Sequence, residues 1–279
     1  MPSSTPFTFG IPLIPAALAA DWDLVQDLLG LTLASVLAQT DPDFRVVVAG
    51  HDRPSRLPED PRVGFVAAGW PAGENRPDNL DSGRKKHAIN DRVMADGGGL
   101  LMFVDADDWV DTRLVETARA LITPDHVGGL VAAGFATDLR TLRSVALPHP
   151  GVFDGEFHRV CGSSNVVNLR PGHPDPFRRD PYPVLHDHHL WLETAREHGA
   201  EPVRLPVAGT YLVNTSANHS ETHGPFADWR RSFNRGIAAA GFPLDGAAAA
   251  RFGLDLPRIA AVSDRLAGMG GDTGTPGLL

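Results

Sequence analysis

The chain has 279 residues, of which 42% are hydrophobic, a length that can bury one large α/β core but leaves little room for a second independent domain. The formal net charge is −9 and no basic stripe is present, which excludes a nucleic-acid polymer as the expected partner. The single cysteine, Cys161, excludes an intrachain disulfide and is typical of a reducing compartment.

The sequence shows no pattern typical of a targeting or membrane-spanning segment. Residues 1–8 lack a basic n-region, and Pro12 and Pro15 interrupt the apolar stretch that follows. No apolar run approaches the ~20 residues needed to cross a bilayer. We therefore expect a cytoplasmic protein without a transmembrane segment.

The first elements predict a β-α-β unit. Alternation over Phe7–Ile11 indicates a strand, and the short apolar run Val46–Ala49 is typical of a buried parallel strand. Between them, apolar residues recur at helical spacing, at Val25, Leu29, Leu33 and Val36. Val63–Val66 predicts a third strand, and the Gly-, Pro- and Asn-rich segment Gly69–Asn79 predicts a loop.

An apolar strand that ends in three carboxylates is the most informative feature of the sequence. Leu100–Val104 predicts a buried strand, and Asp105, Asp107 and Asp108 follow it directly. A helix cap needs one carboxylate and not three. Three like charges repel unless a cation relieves them, and hard cations prefer carboxylate and phosphate oxygens. The run therefore predicts a divalent cation site that also holds a phosphate-bearing ligand, at the sheet edge where α/β proteins bind ligands.

A basic cluster precedes this strand, on a helix predicted over Ser82–Met94. Arg84 lies beside Lys85 and Lys86, the only two lysines among 25 basic residues. A solvated helix face is the usual role of such a cluster. If the helix begins near Ser82, however, its N-terminal dipole and these cations both favour a diphosphate. Successive positions diverge around a helix, so one or two of them can face a common site.

The second half predicts further alternating elements. A helix capped by Thr112 extends to Leu121, and a helix from about Asp187 to His198 ends at Gly199. Strands are predicted at Val127–Ala133, Ser163–Asn168, Val203–Leu205 and Thr210–Val213, and Pro171–Pro183 predicts a mobile loop. From Phe226 onward we expect Ala-rich helices, with a disordered tail at 270–279.

In order and spacing, these segments resemble glycosyltransferases of the GT-A fold, most closely the family 2-like group. The similar segments are Phe7–Pro12, Leu31–Thr40 with its Ser35 and Gln39, Asp43–Asp52, the DxD-like run, and His186–Trp191. The resemblance covers roughly residues 7–220. It implies an α/β fold with a single GT-A (Rossmann-like) domain over 1–225, whose mainly parallel central sheet is flanked by helices. It divides that domain into a donor half, 1–111, and an acceptor half, 112–225, followed by a C-terminal helical segment, 226–279.

The same resemblance implies an activity. The expected reaction transfers a sugar from a nucleotide-diphosphate sugar to an acceptor hydroxyl, with inversion, and depends on Mn²⁺ or Mg²⁺. Asp107 is expected to bind the metal directly, and Asp105 to reach the donor ribose or the metal. Asp187 is expected to be the general base. His219 is the candidate third metal ligand.

The resemblance also implies contacts to the donor nucleotide. Pro12 and Asp52, at two strand ends, are candidates for the nucleobase pocket. Arg84 and Lys85 are candidates for the diphosphate, and Ala106, between the first two aspartates, is a candidate donor contact. Ser164 and Asn165 are candidate sugar contacts, and Asp108 is expected to orient its neighbours. His188 and His189 are candidate acceptor contacts, although we interpret each as a solvated residue, and we interpret Cys161 as a small buried residue that is not a nucleophile.

Several alternatives remain open at the level of sequence. A nucleotidyltransferase would also bind a nucleotide and a metal, but its Gly-rich loop after the first strand is replaced here by Ile11–Pro15. A non-catalytic nucleotide-sugar binding module would keep the aspartates without needing Asp187. A three-histidine metal site at residues 186–189 is disfavoured, because adjacent helical residues diverge by ~100°. The acceptor is unknown, and a homo-oligomer is left open.

Overall fold

A computed structural model describes residues 5–73, 80–180, 188–216 and 227–269. Its strands are β1 Phe7–Pro12, β2 Arg45–Gly50, β3 Val63–Ala67, β4 Gly99–Phe103, β5 Trp109–Val110, β6 Gly128–Asp138, β7 Arg143–Leu147, β8 Asn165–Leu169, β9 Val203–Val213 and β10 Phe242–Pro243. Its α-helices are α1 Trp22–Leu37, α2 Leu80–Ala95, α3 Leu114–Leu121, α4 Trp191–Glu197, α5 Ala227–Ala240, α6 Gly246–Arg251 and α7 Leu256–Met269. No helix in these ranges is long and apolar enough to span a membrane.

The four strands β3, β2, β1 and β4 lie side by side and parallel, in that order. Phe9 in β1 is opposite Val46 in β2 on one side and Met102 in β4 on the other. Helices α1 and α2 provide the crossover connections that parallel strands require. The predicted β-α-β unit is therefore confirmed, and all four strands direct their carboxyl ends to the same edge of the sheet.

The expectation of a mainly parallel sheet is wrong for the second half, because the sheet is mixed. The antiparallel pairs are β4 with β8, β6 with β7 and with β8, β5 with β9, and β7 with β10, whereas β6 and β9 are parallel. Strand β7 was not predicted at all. It follows β6 after a four-residue turn, in which Leu142 has a positive φ of 50°, and so short a connection can join only antiparallel strands.

Several predicted boundaries also differ from the structure; β6, for example, was predicted to end at Ala133 but extends to Asp138. The sequence predicted two short strands around Pro206, but β9 runs through it without a break. Proline has no N–H for the ladder, and the pairing with β6 shifts register at this point, between Val131 and Ala133. Thr112 does not cap α3. The helix begins at Leu114, and the residue at its N-cap position, Arg113, makes no side-chain capping bond.

The C-terminal helices pack against α1, in agreement with the predicted helical segment. Leu24, Leu28 and Leu31 of α1 share one buried cluster with residues of α6, α7 and the turns beside them, including Phe252 and Ile259. Charged groups extend this contact at the surface. The guanidinium of Arg265 pairs with Asp21, which also caps α1 by accepting from the Leu24 amide at 2.9 Å, and with Asp27. The predicted tail at 270–279 lies outside the described residues.

Candidate active site

Three neighbouring strand ends supply candidate residues at the carboxyl edge of the parallel strands. Pro12 is the buried last residue of β1, Asp52 follows β2, and Asp105 follows β4. Asp52 is exposed, and its Oδ2 accepts a hydrogen bond from the Ala16 amide at 2.9 Å, which ties the segment after β1 to the end of β2. The structure thus places all three at the edge where ligands bind in α/β folds.

The three aspartates of the run after β4 lie in different environments. Asp105 and Asp107 are half-buried, as is Ala106 between them, whereas Asp108 is 1% exposed. The Asp108 carboxylate accepts from Ser163 Oγ at 2.6 Å, Cys161 Sγ at 3.3 Å and the Leu212 amide at 3.0 Å. These contacts join the aspartate run to the segment before β8 and to β9. Asp108 is therefore an anchor of the loop and does not face the edge.

Burial determines the protonation of this anchor. Burial and, to a smaller extent, the negative charge of Asp105 raise the pKa of Asp108 to about 7, against the opposing hydrogen bonds from Ser163 and Leu212. The pKa of the Cys161 thiol is raised well above its usual value, first by burial and then by the charges of Asp108 and Asp105. Cys161 is fully buried, as predicted, and its raised pKa argues against a nucleophilic role.

Asp105 and Asp107 are the two half-buried carboxylates of the run. Asp107 Oδ2 accepts from Thr215 Oγ1 at 3.1 Å, which links it to the residues after β9. Among the described residues, no three His, Cys, Asp or Glu side chains are grouped to hold a metal by themselves. Mg²⁺ and Mn²⁺ fit a pair of carboxylates when water and substrate phosphates complete their coordination. The donor set therefore fits a divalent cation that binds together with a diphosphate.

Two side chains at the C-terminal end of α1, one in its last turn and one just after it, hydrogen-bond to the backbone that follows the aspartates. Ser35 Oγ accepts from the Val110 amide at 3.3 Å. Gln39 Nε2 donates to the Asp111 carbonyl at 2.9 Å, and Gln39 Oε1 accepts from the Val115 amide at 3.0 Å. Ser35 and Gln39 belong to a segment that carries the family resemblance, which implies no role for them. In the structure they fix the backbone on the far side of the aspartate turn.

The three basic residues of the cluster on α2 lie in three different environments. Arg84 is exposed. Lys85 is 1% exposed, and its ammonium pairs with Asp81 and donates to the Leu13 carbonyl at 2.6 Å. Burial lowers the pKa of Lys85, although Asp81 opposes this. Lys86 extends in another direction, and its ammonium lies 5.7 Å from the centre of the Phe103 ring at the end of β4. The diphosphate contacts assigned to Arg84 and Lys85 stay predictions, and Lys85 would have to leave its ion pair to make one.

His188, predicted to be solvated or to contact the acceptor, is instead held by two hydrogen bonds to neighbouring segments. Its Nδ1 donates to the His158 carbonyl at 2.8 Å, and its own carbonyl accepts from Asn165 Nδ2 at 3.0 Å. Burial is the main cause that lowers the pKa of His188 to about 4; the hydrogen bond to the His158 carbonyl opposes it, the charge of Lys86 contributes to the lowering, and Asp105 opposes it. His189 is exposed, as expected. Helical periodicity does not predict that His188 is more buried than His189, because the burial of His188 depends on contacts with segments that are distant in sequence.

Two further predictions lie outside the described residues, namely Asp187 as the base and His219 as a metal ligand. The helix that follows Asp187 is described, and its Trp191 is fully buried against Phe177, with the ring centres 5.6 Å apart. Of the candidate sugar contacts, Ser164 is buried and donates to the Cys161 carbonyl at 2.6 Å.

Neither a protein-family model nor a curated protein sequence matches the chain. Solved structures that it resembles include a crystal structure named "putative nucleotide-diphospho-sugar transferase" from Desulfovibrio desulfuricans G20. The TM-score is 0.38 at 12% identity, over 85% of this chain and 98% of the other. A similarity at this level carries no argument about the activity of the chain, which has to come from its own residues.

Proposed function

We propose that this protein is a metal-dependent glycosyltransferase that uses a nucleotide-diphosphate sugar as donor. The observation that supports this most is the arrangement of the aspartate run. Asp108 is buried in the scaffold, while Asp105 and Asp107 stay half-buried at the edge shared by Pro12 and Asp52. Such an edge suits a ligand that combines a nucleoside with a phosphate-bound cation.

Each half of the reaction has candidate residues. Asp107 and Asp105 would hold Mn²⁺ or Mg²⁺, with His219 as a further candidate ligand. When bound, the cation would offset the negative charge of the departing diphosphate. Asp52 and Pro12 would contact the nucleobase. Asp187 would remove the proton from the acceptor hydroxyl as that oxygen attacks the anomeric carbon, which inverts the configuration in one displacement.

The basic residues of α2 would complete the diphosphate site. Lys86 is the better placed of the two lysines for this role, because its ammonium lies over Phe103 at the end of β4 and its charge reaches His188. Lys85 would support the same region indirectly: its ammonium, paired with Asp81 of the same helix, donates to the carbonyl of Leu13 and so ties α2 to the segment just after β1.

An activity screen tests the proposal. Purified protein is incubated with each common UDP- and GDP-sugar, with Mn²⁺ or with a chelator, and release of the nucleoside diphosphate is measured. We expect slow donor hydrolysis with at least one sugar nucleotide, dependent on the cation and lost in Asp107→Ala. Release of pyrophosphate from a nucleoside triphosphate and a sugar phosphate would instead indicate a nucleotidyltransferase. Binding of a sugar nucleotide without any release would indicate a binding module.

A further inference from the structure

Strand β5, which leaves the aspartate run, is fixed to β9 by a buried carboxylate at each of its ends. The two strands pair antiparallel. Just before β5, Asp108 accepts from the Leu212 amide at 3.0 Å, and just after it, Asp111 accepts from the Ala208 amide at 3.4 Å. Both aspartates are 1% exposed. The position of Asp107, which directly precedes Asp108, therefore depends on how firmly β5 is held against β9.

The C-terminal turn, Arg251–Gly253, supplies the counter-charge of Asp111. Arg251 is the last residue of α6, and its Nε donates to Asp111 Oδ2 at 2.9 Å. Its carbonyl accepts from the Thr112 amide at 3.1 Å. The guanidinium of Arg113 is farther away, with Nε 3.6 Å from Asp111 Oδ1, and is more than half exposed. Because a buried carboxylate that loses its partner destabilises the conformation that buries it, Arg251 stabilises Asp111 in its place beside β9.

Two further contacts place the C-terminal turn against β5 and the end of α1. The buried rings of Phe252 and Trp109, the first residue of β5, lie 6.1 Å apart, centre to centre. Gly253 has a positive φ of 66°. A Cβ atom built on it would lie 2.2 Å from Cβ of Ala38, which follows α1, and 3.3 Å from Cγ2 of Thr112. A residue with a side chain does not fit at this position, so the turn packs directly on the residues that flank β5.

We propose that Arg251 is a positioning residue of the cation site, which holds Asp105 and Asp107 in place for the cation through Asp111 and β5. This proposal rests on the proposed function. Arg251 acts through Asp111 and not by touching the ligand. The C-terminal turn lies more than 140 residues after the aspartate run, yet it fixes the strand that leaves that run. Cation binding therefore requires the C-terminal helical segment as well as the two carboxylates.

The test compares cation-dependent binding in two arginine variants of the full chain. UDP and GDP are titrated calorimetrically with Mn²⁺ and with a chelator, and the nucleotide that the wild type binds is used for each variant. In Arg251→Ala we expect the gain in affinity from Mn²⁺ to fall roughly three- to tenfold, while the affinity in chelator stays as in wild type. Arg251→Lys keeps the charge and should recover part of the gain. Arg265→Ala is the matched control, because it removes the ion pairs of the same segment with Asp21 and Asp27, and it should keep the full gain.

Amide hydrogen exchange provides a readout that needs neither the cation nor the nucleotide. In chelator, Arg251→Ala should speed the exchange of the amides of residues 105–113, whereas Arg265→Ala should leave it unchanged. If Arg251→Ala does not fold, Arg251→Lys takes its place in both measurements. An undiminished gain from Mn²⁺ in the Arg251 variant, an equal loss in Arg265→Ala, or unchanged exchange at 105–113 overturns the proposal. If the wild type gains no affinity from Mn²⁺, it is the proposed function that fails, and the exchange alone then decides whether Arg251 holds the loop.

Discussion

Replacing Asp108 with asparagine should change how the stability of the protein depends on pH. The folded-state pKa of Asp108 is about 7, above the usual value of 3.8, because the group is buried near the charge of Asp105. The native state therefore binds this proton more tightly than the unfolded chain. It follows that the free energy of unfolding falls as pH rises from 3.8 towards 7, and then levels off.

The size of this effect follows from the shift in pKa. Each pKa unit corresponds to ~1.4 kcal/mol, so a shift of roughly three units amounts to about 4 kcal/mol, of which about 3 kcal/mol is lost between about pH 5 and pH 8. Asparagine cannot ionise and escapes that loss. It cannot accept from both Ser163 and Leu212, however, so we expect a constant cost of about 1–2 kcal/mol. Asp108→Asn should thus be less stable than wild type at about pH 4 and more stable at about pH 8, with the two curves crossing at about pH 5.

Urea denaturation at several pH values, in buffer with a chelator, measures this difference. Asp154→Asn, at an exposed carboxyl, is the matched control and should follow the wild type at every pH. If the stability curves of wild type and Asp108→Asn run parallel, the carboxyl does not have the raised pKa that its burial implies. If the variant instead loses stability relative to wild type as pH rises, the hydrogen bonds to Asp108 favour its ionised form, and our reasoning is refuted.

The remaining predictions separate structural from chemical roles. Lys85→Ala breaks a largely buried ion pair with Asp81 and should lower stability by about 2–4 kcal/mol in thermal or urea unfolding. Lys86→Ala should change the free energy of unfolding by less than about 1 kcal/mol, and in calorimetry it should weaken the binding of a nucleoside diphosphate more than that of the bare nucleoside. Our placement of the two lysines would be contradicted if Lys86→Ala were the destabilising variant and Lys85→Ala the one that changed only nucleotide binding. Asp187→Asn should keep nucleotide affinity while lowering transfer by ~100-fold or more in a steady-state assay. Loss of donor binding in that variant would remove Asp187 from the role of base.

The first half of the fold could be predicted because its signals are local. Strands β1 to β4 are apolar runs, and their limits and those of α2 agree with the prediction to within about two residues; α1 was indicated by helical periodicity alone, without its limits. The second half depends on long-range pairing. Strand β9 passes through Pro206 because a shift of register with β6 accommodates the proline, and nothing in the local sequence encodes that neighbour.

The candidate site was predictable in position but not in detail. The order of strands places the aspartate run at the ligand-binding edge, yet the spacing of three carboxylates does not reveal that Asp108 turns inward, because its partners lie on β9 and before β8. The structural role of Lys85 could have been predicted from the sequence. Asp81 and Lys85 have the i, i+4 spacing of a helical ion pair, which indicates a structural use for Lys85. His188 had no such signal, since its partners are distant in sequence.

Cation-dependent binding of a nucleoside diphosphate tests the central claim most directly. Wild type and Asp107→Ala are titrated calorimetrically with UDP and with GDP, each with Mn²⁺ and with a chelator. We predict that the wild type binds one of the two at least tenfold more tightly with Mn²⁺, and that Asp107→Ala loses this difference while unfolding at the same temperature as wild type. Binding of equal strength with and without the cation in the wild type, or a cation effect that persists in Asp107→Ala, would contradict the account.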